Sequence, residues 1–344
     1  MRYRTLGRSG LRVSELCLGT MTFGEAWGWG ASEAASREVF EAFADAGGNF
    51  IDTANSYTDG QSEEIVGRLI APDRDRFVLS TKYTHAGRWG DPNGAGNHRK
   101  NLVRSLEESL VRLGTEYVDV LWLHAWDAVT PVAEVMRALD DLVTAGKVLY
   151  IGVSDTPAWV VSRANTLAEL RGWSSFIGVQ AEYSLIQRTA ERDLIPMASE
   201  LGLAVLAWGP LGAGLLTGKY TRAATAGGAG RLRESDMYEG LLNERNLGIA
   251  RAVDDVADRL AVPSAAVAIA WLRHRGAPVI PIVGARTREQ LEENLAGIEI
   301  ELTAADLEAL DEASAVELGF PHDFLRGDAV RQLVYAGTRE RLVW

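Results

Sequence analysis

The chain has 344 residues, 47% of them hydrophobic and 24% charged, a balance that supports a sizeable core with no disulfide or metal staple. Its formal net charge of −12 argues against a nucleic-acid partner, whose phosphates call for a basic face. No apolar run approaches the ~20 residues of a membrane span, and Met1-Arg2-Tyr3-Arg4 lacks the apolar core of a secretory signal, so a cytoplasmic protein with no membrane partner is expected.

Residues 1–15 read as a two-stranded hairpin. After it, short apolar runs alternate with longer helical patterns. The runs are Leu16–Thr20, Asn49–Ala54, Phe77–Tyr83, Val118–His124, Tyr150–Ser154, Ile177–Tyr183, Leu203–Gly209 and Val279–Gly284. They are nearly continuous in hydrophobicity, as parallel strands covered by helices must be. Cys17 lies in the first and reads as a small core residue. Between the runs, Leu102, Leu106 and Leu110 recur every fourth residue. Val132, Val135, Met136, Leu139, Leu142 and Val143 form a stripe between Thr130-Pro131 and Gly146. Thr156-Pro157 opens a further helix, and Thr287 with Gln290, like Thr303 with Asp306, reads as a capping box. Eight β-then-α units without a linker predict one α/β domain over residues 1–344, a (β/α)8 TIM barrel rather than an open doubly wound sheet. Residues 221–247 interrupt the pattern as a candidate lid, and 316–344 form a weakly patterned tail.

In such a barrel the chemistry sits at the C-terminal strand ends. Those ends carry Gly19-Thr20-Met21, Asp52 with Tyr57, Lys82, His124, Ser154-Asp155, Gln180 with Tyr183, Trp208-Gly209-Pro210 and Gly284 with Arg286. Taken singly, a strand-end Asp reads equally as a helix cap, a Lys as a surface charge and a His as a satisfied core residue. Asp52, Tyr57, Lys82 and His124 on consecutive strand ends can converge, and together they make a carbonyl-reducing set. Tyr57 donates the proton, and Lys82 is expected to lower its pKa from the free value of about 10. Asp52 keeps Lys82 charged, and His124 orients the substrate oxygen.

These residues carry a resemblance. Tyr3-Arg4-Thr5-Leu6-Gly7, Leu18-Gly19-Thr20-Met21-Thr22-Phe23-Gly24, Ile51-Asp52-Thr53-Ala54-Asn55-Ser56-Tyr57, Ser80-Thr81-Lys82, Leu123-His124 and Pro281-Ile282-Val283-Gly284-Ala285-Arg286 resemble the aldo-keto reductases. The likeness is to the bacterial branch similar to the β subunits of voltage-gated potassium channels. It implies a barrel closed at its base by the hairpin and an extended NADPH/NADP+ bound without a Gly-x-Gly-x-x-Gly fingerprint, which this chain lacks. It also implies hydride delivery from nicotinamide C4 to an aldehyde or ketone. By the same resemblance Gly19, Thr20, Met21 and Asp52 border the cofactor. Ser154, Asp155 and Gln180 hold the carboxamide, and Tyr183 stacks on the ring. Trp208, Gly209, Pro210, Leu211, Gly212, Ala213 and Lys219 line the pyrophosphate, and Gly284, Arg286, Gln290, Glu293 and Asn294 hold the adenosine end. The family commonly has Ser-Asn where this chain has Ser154-Asp155, and many relatives have Ser at Gly209.

Arg286 also precedes a helix capped by Thr287, which favours a 2′-phosphate and hence NADPH; Arg231 or Arg233 is a second candidate clamp. Trp27, Tyr57, His85, Trp89, His124 and Trp126 are the candidate substrate contacts. The partner expected is a small carbonyl compound, with homo-oligomerisation open. The alternative is an NADP(H)-binding regulatory subunit with little turnover. A metal hydrolase is disfavoured, because of the five histidines only His124 ends a strand.

Overall fold

A computed structural model describes residues 1–222, 240–275 and 278–343. Of the candidate lid, residues 223–239 lie outside the described residues, and Arg231 and Arg233 with them. Two short strands, β1 (Tyr3–Thr5) and β2 (Arg12–Ser14), pair antiparallel with Tyr3 opposite Ser14. Eight parallel strands follow. They are β3 (Cys17–Gly19), β4 (Phe50–Asp52), β5 (Val78–Tyr83), β6 (Val118–Leu123), β7 (Val148–Ser154), β8 (Phe176–Glu182), β9 (Ala204–Trp208) and β10 (Val279–Val283). They close in chain order, with β10 returning to pair with β3. The expected TIM barrel and basal hairpin are both present.

Period-two alternation splits the hydrophobic residues into two clusters. One fills the barrel: Cys17, Phe50, Val78, Val120, Trp122, Leu206, Ile280 and Ile282, with Leu6 and Val13 of the hairpin closing the bottom. The other lies between strands and helices and takes their alternate residues, among them Leu18, Ile51, Leu79, Leu121, Val153, Val179, Val205 and Val283. Trp122 occupies the barrel centre because Gly152 and Gly178 leave it room; a Cβ at Gly152 would stand 2.1 Å from the indole.

The helices follow their sequence signals. α1 (Glu33–Asp45) is capped by Ser32 and α2 is Gln61–Ile70. α3 (Arg99–Leu113) buries Leu102, Leu106 and Leu110, and α4 (Val132–Thr144) begins directly after Pro131. α5 (Ala158–Arg171) starts after Pro157, and α6 (Leu194–Leu201), α7 (Glu244–Leu260) and α8 (Ser264–Arg273) continue the ring. α9 (Arg288–Leu295) is capped by Thr287. The expected reciprocal bond is redirected there: the Gln290 side chain accepts from the Arg286 N–H instead of that of Thr287. α10 (Ala304–Ala313) has the full capping box of Thr303 and Asp306. The tail adds two short helices, His322–Arg326 and Asp328–Val334. Among the described residues, no helix is long and apolar enough to cross a membrane.

Candidate active site

The top inward layer of the barrel collects the chemistry. Asp52 follows Phe50 at the same parity, Lys82 follows Ser80, His124 follows Trp122, and Trp208 follows Leu206. Each side chain therefore points into the mouth, above the hydrophobic plug. Tyr57 comes from the turn after β4, where a 3-10 segment (Tyr57–Gly60) precedes α2.

Asp52 and Lys82 are both 2% exposed and form a buried ion pair. The Lys82 ammonium also donates to the Thr53 carbonyl at 2.8 Å and to the Tyr57 hydroxyl at 3.1 Å. An ammonium has three donors and no acceptor, so these contacts use it completely, and the Tyr57 oxygen must accept. Its own proton is left to point elsewhere. Asp52 is held in turn by the Ser80 hydroxyl at 2.7 Å and the Gln180 amide at 2.8 Å. Ser80 was missed in the sequence, although its place two residues before Lys82 on an inward strand face would have marked it.

Burial works against charge on Lys82, but Asp52 and Tyr57 outweigh it and raise its pKa above the ordinary lysine value. The direction at Tyr57 reverses the expectation. Burial raises the phenol, Lys82 only partly offsets this and Asp52 adds to it, so the net pKa stands above the free value. The His124 imidazole packs edge-on to Tyr57, with ring centroids 5.9 Å apart, and stacks on His85 at 3.7 Å. Burial, reinforced by Lys82 and His85, keeps His124 well below the usual histidine pKa and therefore neutral. Its buried Nδ1 has no hydrogen-bond partner among the described residues. His85 is anchored by Ser56, whose hydroxyl lies 3.2 Å from the His85 Nδ1; Ser56 was not singled out in the sequence.

Around this core, Asp155 takes a left-handed conformation (φ 40°) and accepts from the Trp208 indole N–H at 3.0 Å. The rim around Asp155 desolvates its carboxyl and raises it, with the Trp208 bond opposing. Ser154 is buried, and Thr20 is wholly buried, bonded to the Asp52 carbonyl and the Ser62 hydroxyl, so Thr20 braces the mouth from behind. After β9 the chain makes a kinked 3-10 segment (Gly212–Thr217), and Lys219, just beyond it, lies over Gly214. After β10, Gly284 and Arg286 lead into α9, and Asn294 of that helix returns a 3.4 Å contact to the Gly284 carbonyl. Gln290 is spent on the Arg286 backbone, and Glu293 is exposed.

Tyr183 is a correction. It is 1% exposed, belongs to the outer cluster, and donates its hydroxyl to Glu191 at 2.7 Å while its ring packs on Trp271. It follows Gln180 by three residues, so the strand turns it toward the helices, away from the mouth, where it cannot stack on a ring. Trp208, held by Asp155, is an aromatic residue that the rim does present. Of the candidate substrate contacts, Tyr57, His85 and His124 come together. Trp27 borders the mouth, its indole donating to Asp59 at 3.3 Å and its ring 5.5 Å from that of Trp29. Trp126 packs partly on the outer cluster, and Trp89 is 92% exposed and packs on none of the four catalytic candidates. Among the described residues, no group of three or more His, Cys, Asp or Glu is placed to hold a metal ion.

A barrel whose mouth holds a lysine, a carboxylate, a tyrosine and a neutral imidazole defines a class. The sequence pattern of the aldo/keto reductase family matches residues 15–315, and the chain belongs to that family of carbonyl oxidoreductases. It is similar to an aryl-alcohol dehydrogenase of Pestalotiopsis microspora, 40% identical over 334 residues that cover 94% of this chain and 85% of that protein. It is likewise similar to a norsolorinic acid reductase of Emericella nidulans, 39% identical over 346 residues, 98% of this chain and 87% of the other. An aryl-alcohol dehydrogenase [NADP(+)] of Phanerodontia chrysosporium is 38% identical over 346 residues, covering 95% and 89%.

Proposed function

We propose that this protein reduces aldehydes or ketones with NADPH, that Tyr57 is the proton donor, and that its substrates are aryl carbonyl compounds. The observation that carries the reading is the saturation of Lys82: with its three donors committed, Tyr57 can only accept from it and must aim its own O–H outward. A raised pKa keeps the phenol protonated at neutral pH, as a donor must be. Once the proton leaves, the adjacent ammonium stabilises the phenolate, so Lys82 acts on the charge that develops during the reaction. His124, neutral, offers a hydrogen bond to the same substrate oxygen and sets its approach to Tyr57. Asp52 keeps Lys82 charged and fixed.

The rim suits NADP(H). Gly19 ends β3 and Gly284 directly follows the adjacent β10; a Cβ on Gly284 would meet only the Gly19 carbonyl, at 3.7 Å, so the backbone at Gly284 lies open to a close-lying ligand. Arg286 has no ion-pair partner among the described residues and stands beside the capped start of α9, where a helix end already favours an anion. Bound NADPH would supply the hydride. Trp208, fixed by Asp155, would give its nicotinamide end a flat wall, and Lys219 would face its diphosphate. The aryl preference is supported by the names of two relatives and by Trp27, Trp29 and His85 at the mouth.

The test is NADPH consumption with 4-nitrobenzaldehyde. Turnover is expected, with kcat reduced about 10³-fold in Tyr57→Phe, in line with a lost general acid, and with NADPH still bound. Tight NADPH binding without turnover on any aldehyde would remove the reductase reading in favour of a regulatory NADP(H)-binding subunit.

A further inference from the structure

At the foot of the barrel, on the face opposite the mouth, lies a cavity of about 360 Å³ lined by Arg2, Tyr3, Arg4, Glu15 and Arg273. The lining comes from the hairpin, the entry to β3 and the end of α8. Three guanidiniums surround one carboxylate. Glu15 is fully engaged: one oxygen accepts the Arg2 backbone N–H at 2.8 Å, and the other accepts Arg273 at 3.0 Å and the Arg2 side chain at 3.3 Å. Arg273 spends its remaining fork on the Gly297 carbonyl at 2.8 Å. Arg4 donates to the Val279 carbonyl at 3.0 Å and forms no ion pair among the described residues. Three positive charges against one negative leave two unbalanced, in a chain whose net charge is −12. Burial lowers the Arg4 guanidinium pKa; Glu15 opposes this, while Arg273 and Arg2 add to it by repulsion.

We propose that this cavity binds a phosphate-type oxyanion, either free or carried by a small metabolite. Guanidinium forks match tetrahedral oxyanions through paired charge-assisted hydrogen bonds, and an anion here would relieve the mutual repulsion of the three arginines. The cavity is larger than one oxyanion, and the Tyr3 ring on its wall leaves space for an attached group. Such a ligand would tie the hairpin to the barrel floor. The proposal is independent of the chemistry at the mouth.

The experiment is calorimetric titration of the full chain with inorganic phosphate at ionic strength held constant with sodium chloride. Saturable binding is expected. It should persist in Arg286→Gln, which removes one cation of the mouth, and weaken about tenfold in Arg4→Gln, as fits the loss of a charge-assisted contact. Absence of saturable binding, or binding lost in Arg286→Gln and kept in Arg4→Gln, overturns the proposal. Circular dichroism checks that Arg4→Gln folds. Should it not, Arg2→Gln, whose side chain is 69% exposed, replaces it, and unchanged phosphate affinity in that variant is equally decisive against the site. Repeating the titration with glycerol 3-phosphate in the Arg286→Gln background separates the sources: tighter binding than phosphate assigns the cavity to an ester, equal binding to the free ion.

Discussion

The imidazoles of His85 and His124 lie face to face, centroids 3.7 Å apart and planes 19° from parallel. Burial first and Lys82 second hold both below the free histidine pKa, and His85 adds to the effect on His124. A histidine whose folded pKa is depressed takes up its proton more readily once unfolded. Stability is therefore full above the unfolded value of about 6.5 and declines as pH falls below it. We expect the melting temperature to drop between about pH 7 and pH 5. His85→Phe keeps a ring on His124 but removes one titrating group, so the decline should flatten. An identical slope in the variant would deny the stack this role.

Lys82→Met leaves the Asp52 carboxylate buried with only Ser80 and Gln180 to satisfy it. Breaking a buried pair from one side costs roughly 3–5 kcal/mol. Urea denaturation should register that loss, and turnover should vanish. Adding Asp52→Asn should recover much of the stability and none of the activity.

Asp155 and Trp208 form one hydrogen-bonded unit on the rim. Asp155→Asn keeps an acceptor for the indole and should leave NADPH affinity within about threefold. Asp155→Ala removes the acceptor; at about 1 kcal/mol for such a bond, affinity should fall about fivefold, read by titration of NADPH fluorescence. Equal affinities of the two variants would count against the indole wall.

Arg286→Gln should raise the KM for NADPH roughly tenfold or more, since a charged contact is worth about 1.5–3 kcal/mol, and leave that for NADH unchanged. A parallel rise for both cofactors would show that Arg286 does not read the 2′-phosphate.

Much of this site could be read from strand ends. The eight runs end within a few residues of the observed strands, and the residues closing them share one parity, which is why Asp52, Lys82 and His124 meet. What escaped depended on orientation and burial. Tyr183 stands three residues past Gln180, and an odd count turns it to the other face. The sign at Tyr57 depended on weighing desolvation against a neighbouring ammonium, and only the packed mouth supplies that weight. Ser56 and Ser80 stand inside recognised motifs, but their residue type signals no role; they matter because His85 and Asp52 come within reach of their hydroxyls. At α9, the Gln290 side chain accepts from the Arg286 N–H, one residue upstream of the cap.

Trp122 fills the barrel directly beneath His124, in space cleared by Gly152 and Gly178. The His124 ring thus stands above a packed floor, and among the described residues the barrel interior beneath it is filled with side chains. New substrate tastes can then be acquired by redrawing the loops above while the floor, and the Tyr57 proposed as proton donor, stay untouched. A larger residue at position 152 would do the reverse, displacing the indole that a Cβ there would meet at 2.1 Å. Diversification in this scaffold has one permissive storey and one that must be inherited whole.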